Sequence, residues 1–155
     1  MELNKKVANF KVQTDEDKTV NLTDFAGKPV VLFFYPKADT PGCTIEACGF
    51  RDTFTKLTRA GAVVLGVSRD TPKAQAKFRA KYELPYTLLA DVDEKLCKQF
   101  DVLKEKNMYG KKVIGIERTT FLIGPDQKLL HVFPKVKPEG HAEEVLAILK
   151  EHKVG

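Results

Sequence analysis

The chain has no tryptophan, only three cysteines and no long apolar run. Each lack excludes something. The longest apolar stretches fall far short of the roughly 20 residues that a membrane helix needs. Met1-Glu2-Leu3-Asn4-Lys5-Lys6 offers no apolar core of signal-peptide length. Cys43, Cys48 and Cys97 are too few and too odd a set for a disulfide-stapled secreted scaffold. A reducing, cytoplasmic setting is the expectation, and an organelle form whose transit peptide has been removed stays open. No two cysteines form C-x-x-C, which counts against a thioredoxin-type disulfide reductase. A structural metal site needs about four Cys or His ligands in paired spacing, and His131, His141 and His152 are dispersed, so no metal is expected. Without tryptophan there are few stacking platforms. The net charge of +5 (26 − 21) comes from scattered lysines, so neither nucleic acid nor a membrane is an expected partner.

What is present is ordinary for a globular protein: 43% hydrophobic and 30% charged residues in 155. There is no internal repeat, low-complexity tract or linker, so one domain spanning 1–155 is expected. Residues 9–13 and 19–22 flank a polar turn and predict a β-hairpin. A short helical turn over 22–27 ends at Gly27. Pro29-Val-Val-Leu-Phe-Phe-Tyr35 predicts a buried central strand, and Ala62–Ser68 and Tyr86–Ala90 predict two more. Helices are expected from Pro41, with Phe50, Phe54 and Leu57 on one face, from Pro72 to about Glu83, and over about 93–100. Residues 104–112 read as an exposed polar loop. Thr119–Ile123 and Leu129–Phe133 predict a hairpin that closes the sheet. An amphipathic helix follows over 139–152, with Ala142, Val145, Leu146 and Leu149 inward. Strands alternating with helices predict βαβ units and a mostly parallel sheet in an α/β fold.

Chemistry concentrates between Pro36 and Cys48. Pro36 stops the strand. Thr40 fits a helix N-cap and Pro41 the first helical position. Cys43 then lies in the first turn, where unpaired N–H groups and the helix dipole favour a thiolate. Gly42 lets the backbone approach a substrate closely, and nearby N–H groups could receive an oxyanion.

Pro36, Thr40 and Cys43 fit P-x-x-x-T-x-x-C. Together with Phe34-Tyr35-Pro36-Lys37, Glu46-Ala47-Cys48 and Phe50-Arg51-Asp52, this resembles the peroxiredoxins of the Q-type branch, also called bacterioferritin comigratory protein. Arg118-Thr119-Thr120-Phe121-Leu122-Ile123 matches that family's second active-site segment, about 75 residues on. The resemblance covers nearly the whole chain. It implies a thioredoxin-like fold, a central mixed sheet flanked by helices with an N-terminal β-hairpin extension. It also implies a thiol-dependent peroxidase needing no cofactor.

In that family Cys43 would be the peroxidatic residue, oxidised to a sulfenic acid. Thr40 would bond thiolate and peroxide, Pro36 would shield the sulfur, and Arg118 would stabilise negative charge. Glu46 would orient the arginine, and Arg51 also matches the pattern. The branch carries its resolving cysteine five residues after the first, or in the next helix, or lacks it. Residues 72–83 hold no cysteine, which leaves Cys48 or Cys97. The resemblance favours Cys48 and a Cys43–Cys48 disulfide. Hydrogen peroxide and alkyl hydroperoxides are the implied substrates, a thioredoxin or glutaredoxin-type protein the implied reductant, and a monomer the implied state. A redox-sensing or chaperone-like module is the remaining alternative.

Overall fold

A computed structural model describes residues 2–152, apart from the Met108 side chain. β1 (Lys11–Thr14) and β2 (Thr19–Asn21) form the first hairpin, and a 3-10 turn follows over Leu22–Phe25. Next come β3 (Val30–Phe34), α1 (Pro41–Arg59), β4 (Val63–Ser68), α2 (Pro72–Lys81), β5 (Thr87–Ala90) and α3 (Lys95–Gln99). The chain continues through β6 (Leu103–Met108), β7 (Lys111–Ile116), β8 (Thr119–Ile123) and β9 (Leu129–Phe133) to α4 (His141–His152).

Seven strands form one sheet in the order β2-β1-β5-β4-β3-β8-β9. Parallel pairing is confined to β3–β4 and β4–β5, and the other four pairings are antiparallel. This corrects the mostly parallel sheet expected from the alternation of strands and helices. Only α1 and α2 serve as crossovers between neighbouring parallel strands. β8 instead comes back antiparallel along the far side of β3.

β3 lies at the centre and every residue in it is buried. Its side chains alternate between faces, as the two-residue strand period requires. Val31, Phe33 and Tyr35 join a core layer with Cys43, Phe50 and Leu57 of α1, Phe78 of α2, and Val145 and Leu149 of α4. Val30, Leu32 and Phe34 face a second layer with Leu96 and Cys97 of α3, Phe100 and Phe121. Phe33 stacks on Phe50, with ring centroids 4.5 Å apart, and so fixes α1 over the sheet.

Residues 104–112 are not a loop. They belong to the two-stranded ribbon β6–β7, in register from Leu103↔Ile116 to Met108↔Lys111. Tyr109 (φ 54°) and Gly110 (φ 79°) make its turn, both left-handed, as a tight two-residue hairpin requires. The lysine-rich strands lack the alternation that marks a half-buried strand. Register here comes from the turn.

Gly66 of β4 pairs with Phe33, and a Cβ there would meet the Phe33 ring at 2.8 Å and Leu88 Cδ2 at 2.9 Å. Both neighbours are fully buried. Gly66→Ala should therefore cost about 1–3 kcal/mol through overpacking, read as a drop of several degrees in thermal midpoint. An unchanged midpoint would show that Phe33 has room to move.

Candidate active site

The strand-to-helix passage is built as the composition anticipates. The N–H of Tyr35 still donates to Val67, and half-buried Pro36 ends the strand. Asp39 adopts φ 58°, and Thr40 is the extended N-cap of α1 with Pro41 at the first helical position. Thr40 does not cap with its side chain, contrary to one role expected of it. Its hydroxyl donates instead to the Lys37 carbonyl at 2.8 Å, back within the turned loop. Thr71, by contrast, does cap α2 through its hydroxyl oxygen, which accepts from the Ala74 N–H at 3.2 Å.

Four expected residues meet. Cys43 is buried in the first turn of α1. Arg118, just before β8, sends Nη1 to within 3.5 Å of Cys43 Sγ and donates from the same nitrogen to Glu46 Oε1 at 2.9 Å. Its backbone is held by the Val136 N–H, which donates to the Arg118 carbonyl. Gly42 makes room for this. A Cβ there would lie 3.0 Å from Arg118 Nη2 and 3.6 Å from Pro138 Cγ. A glycine at this point thus allows close packing against the guanidinium.

The ion pair is unequally solvated. The Glu46 side chain is fully buried and that of Arg118 is 16% exposed. Burial pushes the Glu46 carboxyl up to about 7, only partly countered by Arg118. Its second oxygen, Oε2, is buried with no hydrogen-bond partner among the described residues. Burial also works against the Arg118 charge, but Glu46 and Cys43 outweigh it, so its pKa is raised.

Cys48 lies on the same helix, half-buried, and all three cysteines are free thiols. Cys97 sits in the opposite core layer, where burial and Asp91 push its thiol well up. Arg51 lies outside the cluster and donates from Nη1 to the Tyr82 carbonyl at 2.9 Å.

Several residues around the site carried no signal in the sequence. Asp70 Oδ2 accepts from the Ala38 N–H at 2.8 Å and from Ser68 Oγ at 2.6 Å, tying the Pro36–Thr40 loop to the end of β4. His141 is buried with Nε2 2.7 Å from Thr120 Oγ1, and burial, then Arg118, lowers its pKa to about 4. Tyr86 donates to the Ala47 carbonyl at 2.6 Å. A single Asp, His or Tyr has no motif to betray it.

A buried thiol faced by a guanidinium, on a helix start, is a site for nucleophilic attack on an electrophilic oxygen. Comparison with known proteins points the same way. The AhpC/TSA family model matches residues 3–132. Peroxiredoxin Bcp of Escherichia coli K12 is 48% identical over 143 residues, covering 92% of both chains. The crystal structure of a Xylella fastidiosa PrxQ variant superposes with a TM-score of 0.93 at 42% identity, over 98% of this chain and 97% of that one. The bacterioferritin comigratory protein of Xanthomonas campestris has a TM-score of 0.88 at 45% identity, over 92% and 91% of the two chains. That protein is known from trapped intermediate and ligand complexes bearing on its alkyl peroxide reduction activity.

The Glu46 carboxyl is held above its unfolded value of 4.5, so its contribution to stability is complete below that pH and fades as pH rises through about 7. The stability of the native chain minus that of Glu46→Gln should therefore shrink between about pH 5 and about pH 8, measured by urea unfolding. A difference that stays flat would mean that Arg118 keeps the carboxylate ionised throughout.

Proposed function

The chain belongs to the AhpC/TSA family, in the branch named peroxiredoxin Bcp or PrxQ, and is a thiol peroxidase; from that premise we propose that Cys43 is its peroxidatic cysteine. The observation that carries this is Arg118 Nη1 at 3.5 Å from Cys43 Sγ while the same nitrogen is braced on Glu46. The Cys43 thiolate attacks the terminal oxygen of a hydroperoxide. A sulfur–oxygen bond forms, the O–O bond breaks, and the leaving alkoxide or hydroxide takes a proton to depart as alcohol or water. Arg118 stabilises charge first on sulfur and then on the departing oxygen. The first-turn N–H groups of Gly42 and Cys43 have no carbonyl partner within the helix and are free to bind the peroxide. Thr40, its proton engaged by Lys37, offers lone pairs to the peroxide hydrogen, and Pro36 walls the sulfur off from water. Glu46 aims the guanidinium.

Cys48 is proposed as the resolving thiol. It attacks the Cys43 sulfenic acid, the disulfide forms, and the hydroxyl leaves as water with the Cys48 proton. Cys97 is a poor candidate because the sheet separates it from Cys43. Hydrogen peroxide and alkyl hydroperoxides are the proposed oxidants, the latter in keeping with the Xanthomonas relative. A thioredoxin or glutaredoxin-type dithiol in the cytoplasm would return the enzyme, acting as a monomer, to its reduced state.

Both cysteines stand on α1 (Pro41–Arg59). Residues five apart in a helix are separated by about 7.5 Å of rise and about 140° of rotation, which puts their Cα atoms roughly 8–9 Å apart. A disulfide needs about 7 Å or less. Resolution therefore requires residues from about Gly42 to Phe50 to unwind, and amide hydrogen exchange there should rise sharply on oxidation. Unchanged exchange alongside a Cys43–Cys48 bond would refute the unwinding.

Peroxide titration with intact-mass detection tests the assignments. Cys43→Ser should lose turnover, Cys48→Ser should accumulate sulfenic and sulfinic Cys43, and Cys97→Ser should behave as the native chain. Substantial turnover by Cys43→Ser, or a Cys43–Cys97 bond, would overturn them. Arg118→Ala should slow the peroxide step by orders of magnitude with the fold intact. Arg118→Lys should recover it only in part, since an ammonium lacks the planar fork.

A further inference from the structure

We propose that the end of α2 and its connection to β5, residues 81–86, form a latch on the helix that carries Cys43 and Cys48. Its grip sets how often the Cys43 sulfenic acid is captured by Cys48 rather than by a second peroxide. The inference rests on Cys48 being the resolving thiol.

The latch touches the mobile segment before, within and after. Ahead of it, Asp39 in its left-handed turn receives Lys81 Nζ at 2.8 Å and Tyr82 Oη at 2.7 Å. Beyond it, Arg51 Nη1 donates to the Tyr82 carbonyl at 2.9 Å. Within it, Tyr86 Oη donates to the Ala47 carbonyl at 2.6 Å, wholly buried. Ala47 directly precedes Cys48, so bringing Cys48 sulfur to Cys43 must swing that carbonyl away from Tyr86.

The contacts are unequal. Lys81 and Asp39 are 58% and 42% exposed, and such surface pairs hold little. Tyr86 is locked in place, its ring edge-on to Phe33 with centroids 5.8 Å apart and tilted against Phe54. It is the principal bolt, and the two outer contacts mark where unwinding stops. Among the described residues Tyr86 hydrogen-bonds neither Cys43 nor Arg118, so loosening it acts on resolution and leaves the first chemical step alone. Resolution joins the two sulfurs and releases water. The competing reaction inserts a second peroxide oxygen into Cys43, giving sulfinic acid and another alcohol or water.

Tyr86→Phe removes the bolt and keeps the ring. Loss of one buried neutral hydrogen bond should shift the opening equilibrium by about three- to tenfold. Stopped-flow measurement should show sulfenic acid formation at the native rate and disulfide formation faster by that factor. The peroxide dose that gives half-sulfinic protein should rise in step. Lys81→Met with Tyr82→Phe should move both in the same direction by less, and it guards against a repacked Tyr86 site. Exchange over residues 42–50 is read separately in the reduced Cys48→Ser protein, with and without Tyr86→Phe. A rise there with the disulfide at another cysteine would keep the latch and overturn Cys48 as resolver. Native exchange and native resolution rates in Tyr86→Phe, with a Cys43–Cys48 bond formed, would overturn the latch. So would an equal slowing of both chemical steps.

Discussion

The site depends on one guanidinium held between a helix and a strand. Arg118 reaches from the start of β8 to Cys43 Sγ and Glu46 Oε1 on successive inward positions of α1. A thiol on a helix start has a favourable field but no fixed cation. The sheet supplies that cation, because β8 runs antiparallel beside β3, with Thr119 opposite Phe34, so the residue just before β8 arrives where β3 releases the chain into the Pro36 loop. Glu46 holds the guanidinium through the same nitrogen that faces Cys43. The carboxylate in turn is buried, with one oxygen unpartnered among the described residues, a costly arrangement.

On the proposed mechanism the same helix serves two opposed purposes. The peroxide step requires α1 wound, so that first-turn N–H groups and Arg118 converge on Cys43. The disulfide step requires it unwound, since helical geometry keeps positions five apart on different faces. The local composition suits a marginal segment. Gly42 and Gly49 fall within the first turns, and each lowers helix stability by about 1 kcal/mol relative to alanine. Against that stand Phe50, stacked on Phe33, and the tyrosine contact at Ala47. On that mechanism the balance between weak helix and firm anchors sets how long the sulfenic acid waits.

Much of this was legible before folding. The apolar run ending at Pro36 announced the central strand, Thr40-Pro41 the helix start, and the two motifs the pairing of Cys43 with Arg118. Other features were silent because they arise from position alone. The β6–β7 ribbon exposes Val113 and Ile114 on opposite faces and carries no hydrophobic period, and a Tyr-Gly turn sets it. Thr40 had the right place for a cap, yet its hydroxyl donates to the Lys37 carbonyl that the turned loop presents to it. The count of parallel strands could not be read from alternation, since nothing local says on which side of β3 the last hairpin lands.

By itself the sequence determined most of the elements and the place of one thiol at a helix start. Strand and helix periodicity, the proline stop and the helix-start chemistry are all properties of adjacent residues, and they place the thiol without knowledge of the rest. Tertiary structure alone decided the surroundings of that thiol. It brought Arg118 against it, set Cys97 behind the sheet, raised the Glu46 carboxyl by burial, and laid Tyr86 on the Ala47 carbonyl. Each of these is a through-space relation between residues tens of positions apart, fixed by which strand lies beside which and by what the two core layers shut away from water.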